Sequence, residues 1–153
     1  MKRRKAIVSV GCLAAAGSHL FGTAAKPVPQ KEVKTDKAPK AIGPYSQAVV
    51  ANGFVFASGQ IAIDPKTGNL LKGNIEEQTR LVLTNLKNVM EEAGSSMSKV
   101  IKCTVFLDDL DNYARMNGVY AEFFKSPYPA RAAVQVVRLP RDVQIEIEAV
   151  AVL

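Results

Sequence analysis

The chain has 153 residues, 48% of them hydrophobic and 22% charged, enough for one domain with its own core. Its net charge of +6 is unevenly placed: Lys2, Arg3, Arg4 and Lys5 precede every acidic residue, and from Ala41 onward 11 basic residues stand against 12 acidic ones. The folding part is therefore nearly neutral, which argues against a nucleic-acid binder, since such proteins concentrate basic charge on one surface.

Residues 1–25 have the form of an export signal, with a basic start, an uncharged run from Ala6 to Ala25 and small residues GTAA at its end. This predicts a cleaved leader and an exported, periplasmic protein, with organellar import, or a cytoplasmic protein with an unprocessed leader, as the alternatives. No stable membrane contact is expected once the leader is gone. The only histidine, His19, lies within it, so a mature domain has no His-based metal site and no Cys-His or Ser-His pair. Cys103 is then the one remaining cysteine and cannot form an internal disulfide. It falls in an alternating apolar strand and reads as core packing.

Residues 26–40 hold three prolines and five lysines without apolar periodicity and predict a flexible linker, with the folded domain over 41–153. Ser46 to Val50 and Phe54 to Ser58 flank Asn52-Gly53, a strong hairpin signal. Gly59 interrupts the strand pattern and suggests a bulge or a close backbone approach. Asn74 to Gly94 is the clearest helix. Asn74 and Glu77 form a capping-box pair, Ile75, Val82, Leu86, Val89 and Ala93 form the buried stripe, and Gly94 ends it. Val100 to Leu107 is a strand, and Asp111 to Phe124 a second helix with Tyr113, Met116, Tyr120, Phe123 and Phe124 on its apolar side.

Tyr128 to Val150 reads as a hairpin turning at Leu139-Pro140-Arg141-Asp142. In its second strand Ile145, Ile147 and Ala149 alternate with Gln144, Glu146 and Glu148. Arg131 and Ala133 share one face of the first strand. The expectation is that Arg131, Glu146 and Glu148 project together from the sheet face that the helices leave open. Two helices cover only one face of such a sheet, which predicts a two-layer α+β sandwich whose bare face is buried by self-association.

Five segments resemble the RidA/YjgF family of enamine and imine deaminases: IGPYSQAV at 42–49, ASGQIAID at 57–64, NYARMNGVYAEFF at 112–124, YPARAAVQV at 128–136 and VQIEIEAVAV at 143–152. The resemblance runs from Ala38 to Leu153. It implies a chorismate-mutase-like homotrimer with clefts between subunits, and hydrolysis of 2-iminopropanoate and 2-iminobutanoate to 2-oxo acids and ammonia, with no cofactor or metal. It also implies residue roles. Arg131 would bind the substrate carboxylate, and Glu146 would position or deprotonate the attacking water. Tyr45, Ser58, Gly59 and Asn117 would line the same cleft. Many members carry a cysteine two residues after the arginine; here Ala133 stands there. A trimer of the same fold that binds small carboxylates without turnover is the alternative, and an RNA-directed activity is disfavoured by the charge balance.

Overall fold

The computed structural model describes residues 27–153; the leader expected over 1–25 lies outside them. Six strands form one mixed sheet: β1 (Lys31–Val33), β2 (Ala48–Ala51), β3 (Phe54–Ile61), β4 (Val100–Leu107), β5 (Ala130–Gln135) and β6 (Ile145–Val152), in the spatial order β1-β2-β3-β6-β4-β5. Helices α1 (Ile75–Glu92) and α2 (Tyr113–Phe123) pack on one face, giving the expected two-layer α+β sandwich.

Local signals set the first half. Asn52 and Gly53 both have positive φ, 49° and 77°, the type I′ turn whose twist matches that of β2 and β3. At the start of α1, Asn74 Oδ1 accepts from the Glu77 amide while Glu77 Oε2 accepts from the Asn74 amide, both at 2.9 Å. Ile75, Val82, Leu83, Leu86, Val89 and Met90 are fully buried against the sheet. Truncating one of them, Leu86→Ala for instance, should cost about 2–5 kcal/mol. Gly94, at φ 87°, ends the helix as expected. Bidentate Arg115–Glu76 and Arg80–Glu122 pairs staple α2 to α1 on the outside.

Two expectations fail. The segment 26–40 is not a free linker throughout. β1 pairs with β2, Val33 and Ala38 are buried, and the buried Gln47 side chain holds the loop. Its Oε1 accepts from Thr35 N at 2.7 Å, and its Nε2 donates to the carbonyls of Thr35, Ala38 and Pro39. The ties come from a residue far along the chain, so local composition does not show them.

Nor is 128–150 a hairpin. β4 lies between β5 and β6, parallel to the first and antiparallel to the second. The chain leaves β4, crosses over through α2 and returns parallel as β5, which leaves the outer edge of β5 unpaired. β6 then fills the slot between β3 and β4. Among the described residues no helix covers the far face of the sheet, which exposes Phe56, Ile101 and Val134.

Candidate functional site

Tyr113, Asn117 and Tyr120 are spaced i, i+4, i+7, so α2 presents them on one face toward β5. Arg131 rises from β5 to meet them. Its guanidinium carbon lies 4.4 Å from the centre of the Tyr120 ring and 5.5 Å from that of Tyr113. One terminal nitrogen donates to the Tyr113 hydroxyl at 2.9 Å. Ring faces attract the cation and fix its plane. Among the described residues no carboxylate pairs with Arg131, whereas Arg80, Arg115 and Arg138 each pair with one. Arg131 lines a cleft of about 750 Å³ between the edge of β5 and α2.

Asn117 lines this cleft one turn from Tyr113, and its side chain, with the nearby Arg131 charge, holds the Tyr113 phenol below its ordinary pKa. Cys103 sits beside Arg131 in the sheet register, fully buried, its thiol pKa raised by desolvation. It is packing, as its strand pattern predicts. Burial likewise pushes the Tyr120 hydroxyl up.

The carboxylate is elsewhere. Arg131 lies opposite Cys103 on β4, and Glu146 lies opposite Phe106. Those two β4 positions are an odd number of residues apart, so the side chains leave opposite faces of the sheet. Two strand spacings across and three residues along separate their α-carbons by roughly 14 Å. Arg131 points to the helix side and Glu146 to the open side. This corrects the expectation that both project from one face. On β5 it is Ala132 and Val134 that face outward, and Arg131 and Ala133 that turn in.

Glu146 is half-buried, and its pKa is raised, first by desolvation and then by the neighbouring charge of Glu148. Its carboxylate occupies the space beside Gly59 where a side chain would begin: a Cβ there would come within 2.7 Å of the carboxyl carbon. Gly59 falls in the stretch between Ala57 and Gln60 where the register of β3 against β6 shifts. The close approach predicted at Gly59 is therefore to Glu146.

Two other expected residues have local partners. Ser58 Oγ donates to the Ser46 carbonyl at 2.7 Å, tying β3 to the chain entering β2. The Tyr45 ring rests 3.5 Å from the position of a Gly43 Cβ, and its hydroxyl accepts from the Ile42 amide at 3.4 Å. Tyr45 lines a separate concavity with Gln47 and Lys40. Within one protomer the structure thus brings Arg131 and Asn117 together, and Gly59 and Glu146 together, but not the two pairs. The sequence reading missed the Tyr113–Tyr120 clamp, although the i, i+4, i+7 spacing around Asn117 carried that signal.

The family model described as Endoribonuclease L-PSP matches residues 35–153. A RutC family protein of Pyrococcus abyssi is 56% identical over 117 residues, covering 76% of this chain and 92% of that protein. The 2-iminobutanoate/2-iminopropanoate deaminase of Bos taurus is 44% identical over 123 residues, covering 80% of this chain and 90% of its own length. Among solved structures, E. coli TdcF with bound serine superposes with a TM-score of 0.77 at 47% identity, covering 80% of this chain and 98% of that one.

Proposed function

This chain belongs to the Endoribonuclease L-PSP family, the RidA/YjgF proteins, and we propose that it hydrolyses reactive 2-imino acids to 2-oxo acids and ammonia. The observation that carries this reading is Arg131, a guanidinium oriented by two tyrosines at the wall of a cleft, with no carboxylate on it among the described residues. Such a group is a receptor for a small carboxylate, which it can grip with two parallel hydrogen bonds. That a relative is named an imine deaminase, and another holds serine, fits the same substrate shape.

Chemistry needs a base beside that receptor, and one protomer does not supply it. The reading is completed by a homotrimer in which the β5 edge of one protomer meets the open sheet face of the next. The exposed apolar residues of that face give the contact its driving force. Glu146 then enters the cleft from the neighbour. Arg131 holds the carboxylate and Asn117 orients the imine. Glu146 takes a proton from water as its oxygen adds to C2 and the C=N pair moves to nitrogen, and it passes that proton to the nitrogen. It then takes the proton of the new C2 hydroxyl and delivers it to the amine as the C–N bond breaks, so that ammonia leaves, the carbonyl forms and the 2-oxo acid remains. A raised carboxyl pKa suits this proton traffic.

The test is direct. Purified protein added to a dehydratase that releases enamines should speed formation of 2-oxo acid and ammonia. No acceleration at any protein concentration would refute the reading. One observation favours binding without turnover: no carboxylate lines the Arg131 cleft of the single protomer. Calorimetric binding of 2-oxobutanoate without imine hydrolysis would establish that alternative.

A further inference from the structure

We propose that Lys102 of one protomer pairs with Glu148 of the next, and that this ionic contact fixes how the uncovered sheet faces meet; it rests on the trimer of the reading above. β4 and β6 are neighbours inside the sheet. On the uncovered side Thr104 stands opposite Glu148 and Lys102 opposite Val150, so Lys102 and Glu148 are diagonal neighbours. With Phe56 and Val150 they line one concavity there. Both are exposed in the protomer, and among the described residues neither takes part in an ion pair. Lys102 is the only basic residue of either strand. Phe56, Ile101 and Val134, exposed on the same side, make its surroundings apolar.

Covering this face takes both charges out of water, a cost recovered only where an opposite charge comes close. A surface that carries both signs can be complementary to a copy of itself. Sheets set edge to face around a three-fold axis turn their uncovered sides to a common interior, which brings these positions of neighbouring protomers together. Each protomer then gives its lysine to one neighbour and its glutamate to the other, and the ring closes with no charge left over. Glu146, the other acid of β6, is taken up by the cleft in the same reading. Apolar area attracts without direction. One cation and one anion upon it select a single orientation, because any shifted packing sets like charges together or strands one charge among apolar side chains.

The experiment uses the full chain and follows trimer against protomer by sedimentation over a dilution series, in urea below the unfolding transition so that the parent's midpoint is measurable. Lys102→Glu and Glu148→Lys each set like charges against one another at every contact of the ring. Reversal is the informative change, since Glu148→Gln would still leave an amide oxygen to accept from Lys102. With each like-charged contact weakening the interface about tenfold, the midpoint concentration, which scales as the square root of the trimer dissociation constant, should rise about thirtyfold. Refolded together, the two variants form mixed trimers with two matched contacts and one like-charged contact. The mixture should therefore need only about three times as much protein as the parent. The chain carrying both changes should assemble as the parent does. Both positions are exposed in the protomer, so its fold tolerates the changes, which circular dichroism checks. Recovery in the double variant but not in the mixture would put the pair inside one protomer. That result, single variants as trimeric as the parent, or a double variant that does not assemble overturns the inference and leaves the trimer standing. A parent that stays monomeric at every concentration removes the trimer reading and this inference with it.

Discussion

The Arg131 cleft and the Glu146 face are built on opposite principles. The cleft is walled. A helix face and a sheet edge converge, two tyrosine rings set the guanidinium, and the volume is shaped before any ligand arrives. The Glu146 face is the side of the sheet that neither α1 nor α2 covers. Its carboxylate lies on a glycine, held by the absence of a side chain rather than by a partner. In the proposed reading the first region binds the substrate and the second moves a proton. That reading makes the single protomer an incomplete catalyst and assembly a requirement of the proposed chemistry.

The sharpest way to break this comparison is to disable each half separately. Arg131→Ala removes a bidentate charged contact, each bond of which is worth about 1.5–3 kcal/mol, so kcat/KM should fall by roughly 10²–10⁴. Glu146→Gln should fall as far. Mixing the two inactive variants, unfolding and refolding them together, should then restore activity. Random reassortment into trimers gives three mixed assemblies in four, each with one intact pair among three sites, so about a quarter of parental activity should return. If both residues served one site within a single protomer, the mixture would stay inactive.

Gly59→Ala acts on the other half alone. The colliding atoms are the end of a flexible glutamate, so the fold can accommodate the methyl group by swinging Glu146 aside. The melting temperature should move by only a few degrees. Displacing the base by about 1 Å or more should lower kcat about a hundredfold. Binding of 2-oxobutanoate, which the Arg131 half governs, should be nearly unchanged. A large loss of melting temperature with activity retained would show that Gly59 serves the backbone instead.

How much of this was legible in the sequence differs between the halves for the same physical reason. The capping box of Asn74 and Glu77, the Asn52-Gly53 turn and Gly94 declare themselves because their partners lie within a few residues. Alternation along β5 and β6 shows which residues share a face, but not which face meets the helices. With Ala132, Ala133 and Val134 in a row, either face of β5 could have been the inner one. Strand order is equally hidden: nothing local says that β6 slots between β3 and β4. Proximity of Arg131 and Glu146 in sequence therefore suggested a shared face that the topology denies. The Gln47 clamp on residues 35–39 was invisible for the same reason.

The smallest expected effect sharpens the picture of the Glu146 face. Glu148 lies one strand period beyond Glu146 on the same face, and its charge is the second cause, after desolvation, of the raised Glu146 pKa. In the proposed mechanism the active form is the carboxylate, so kcat/KM should fall as pH drops through a midpoint above the usual 4.5 of a glutamate. Glu148→Gln removes the repulsion, and that acid limb should move to lower pH while the plateau stays within about twofold of the parent. Stability obeys the same sign. A folded pKa raised above the unfolded one means that the native state holds this proton more tightly, so ionised Glu146 costs stability above the folded pKa and the cost vanishes below the unfolded one. Glu146→Gln should therefore melt higher than the parent at pH 7, with the gap closing as the pH is lowered past the ordinary glutamate range. An acid limb unmoved in Glu148→Gln would mean that desolvation alone sets the base, and that the second carboxylate of the strand is a bystander.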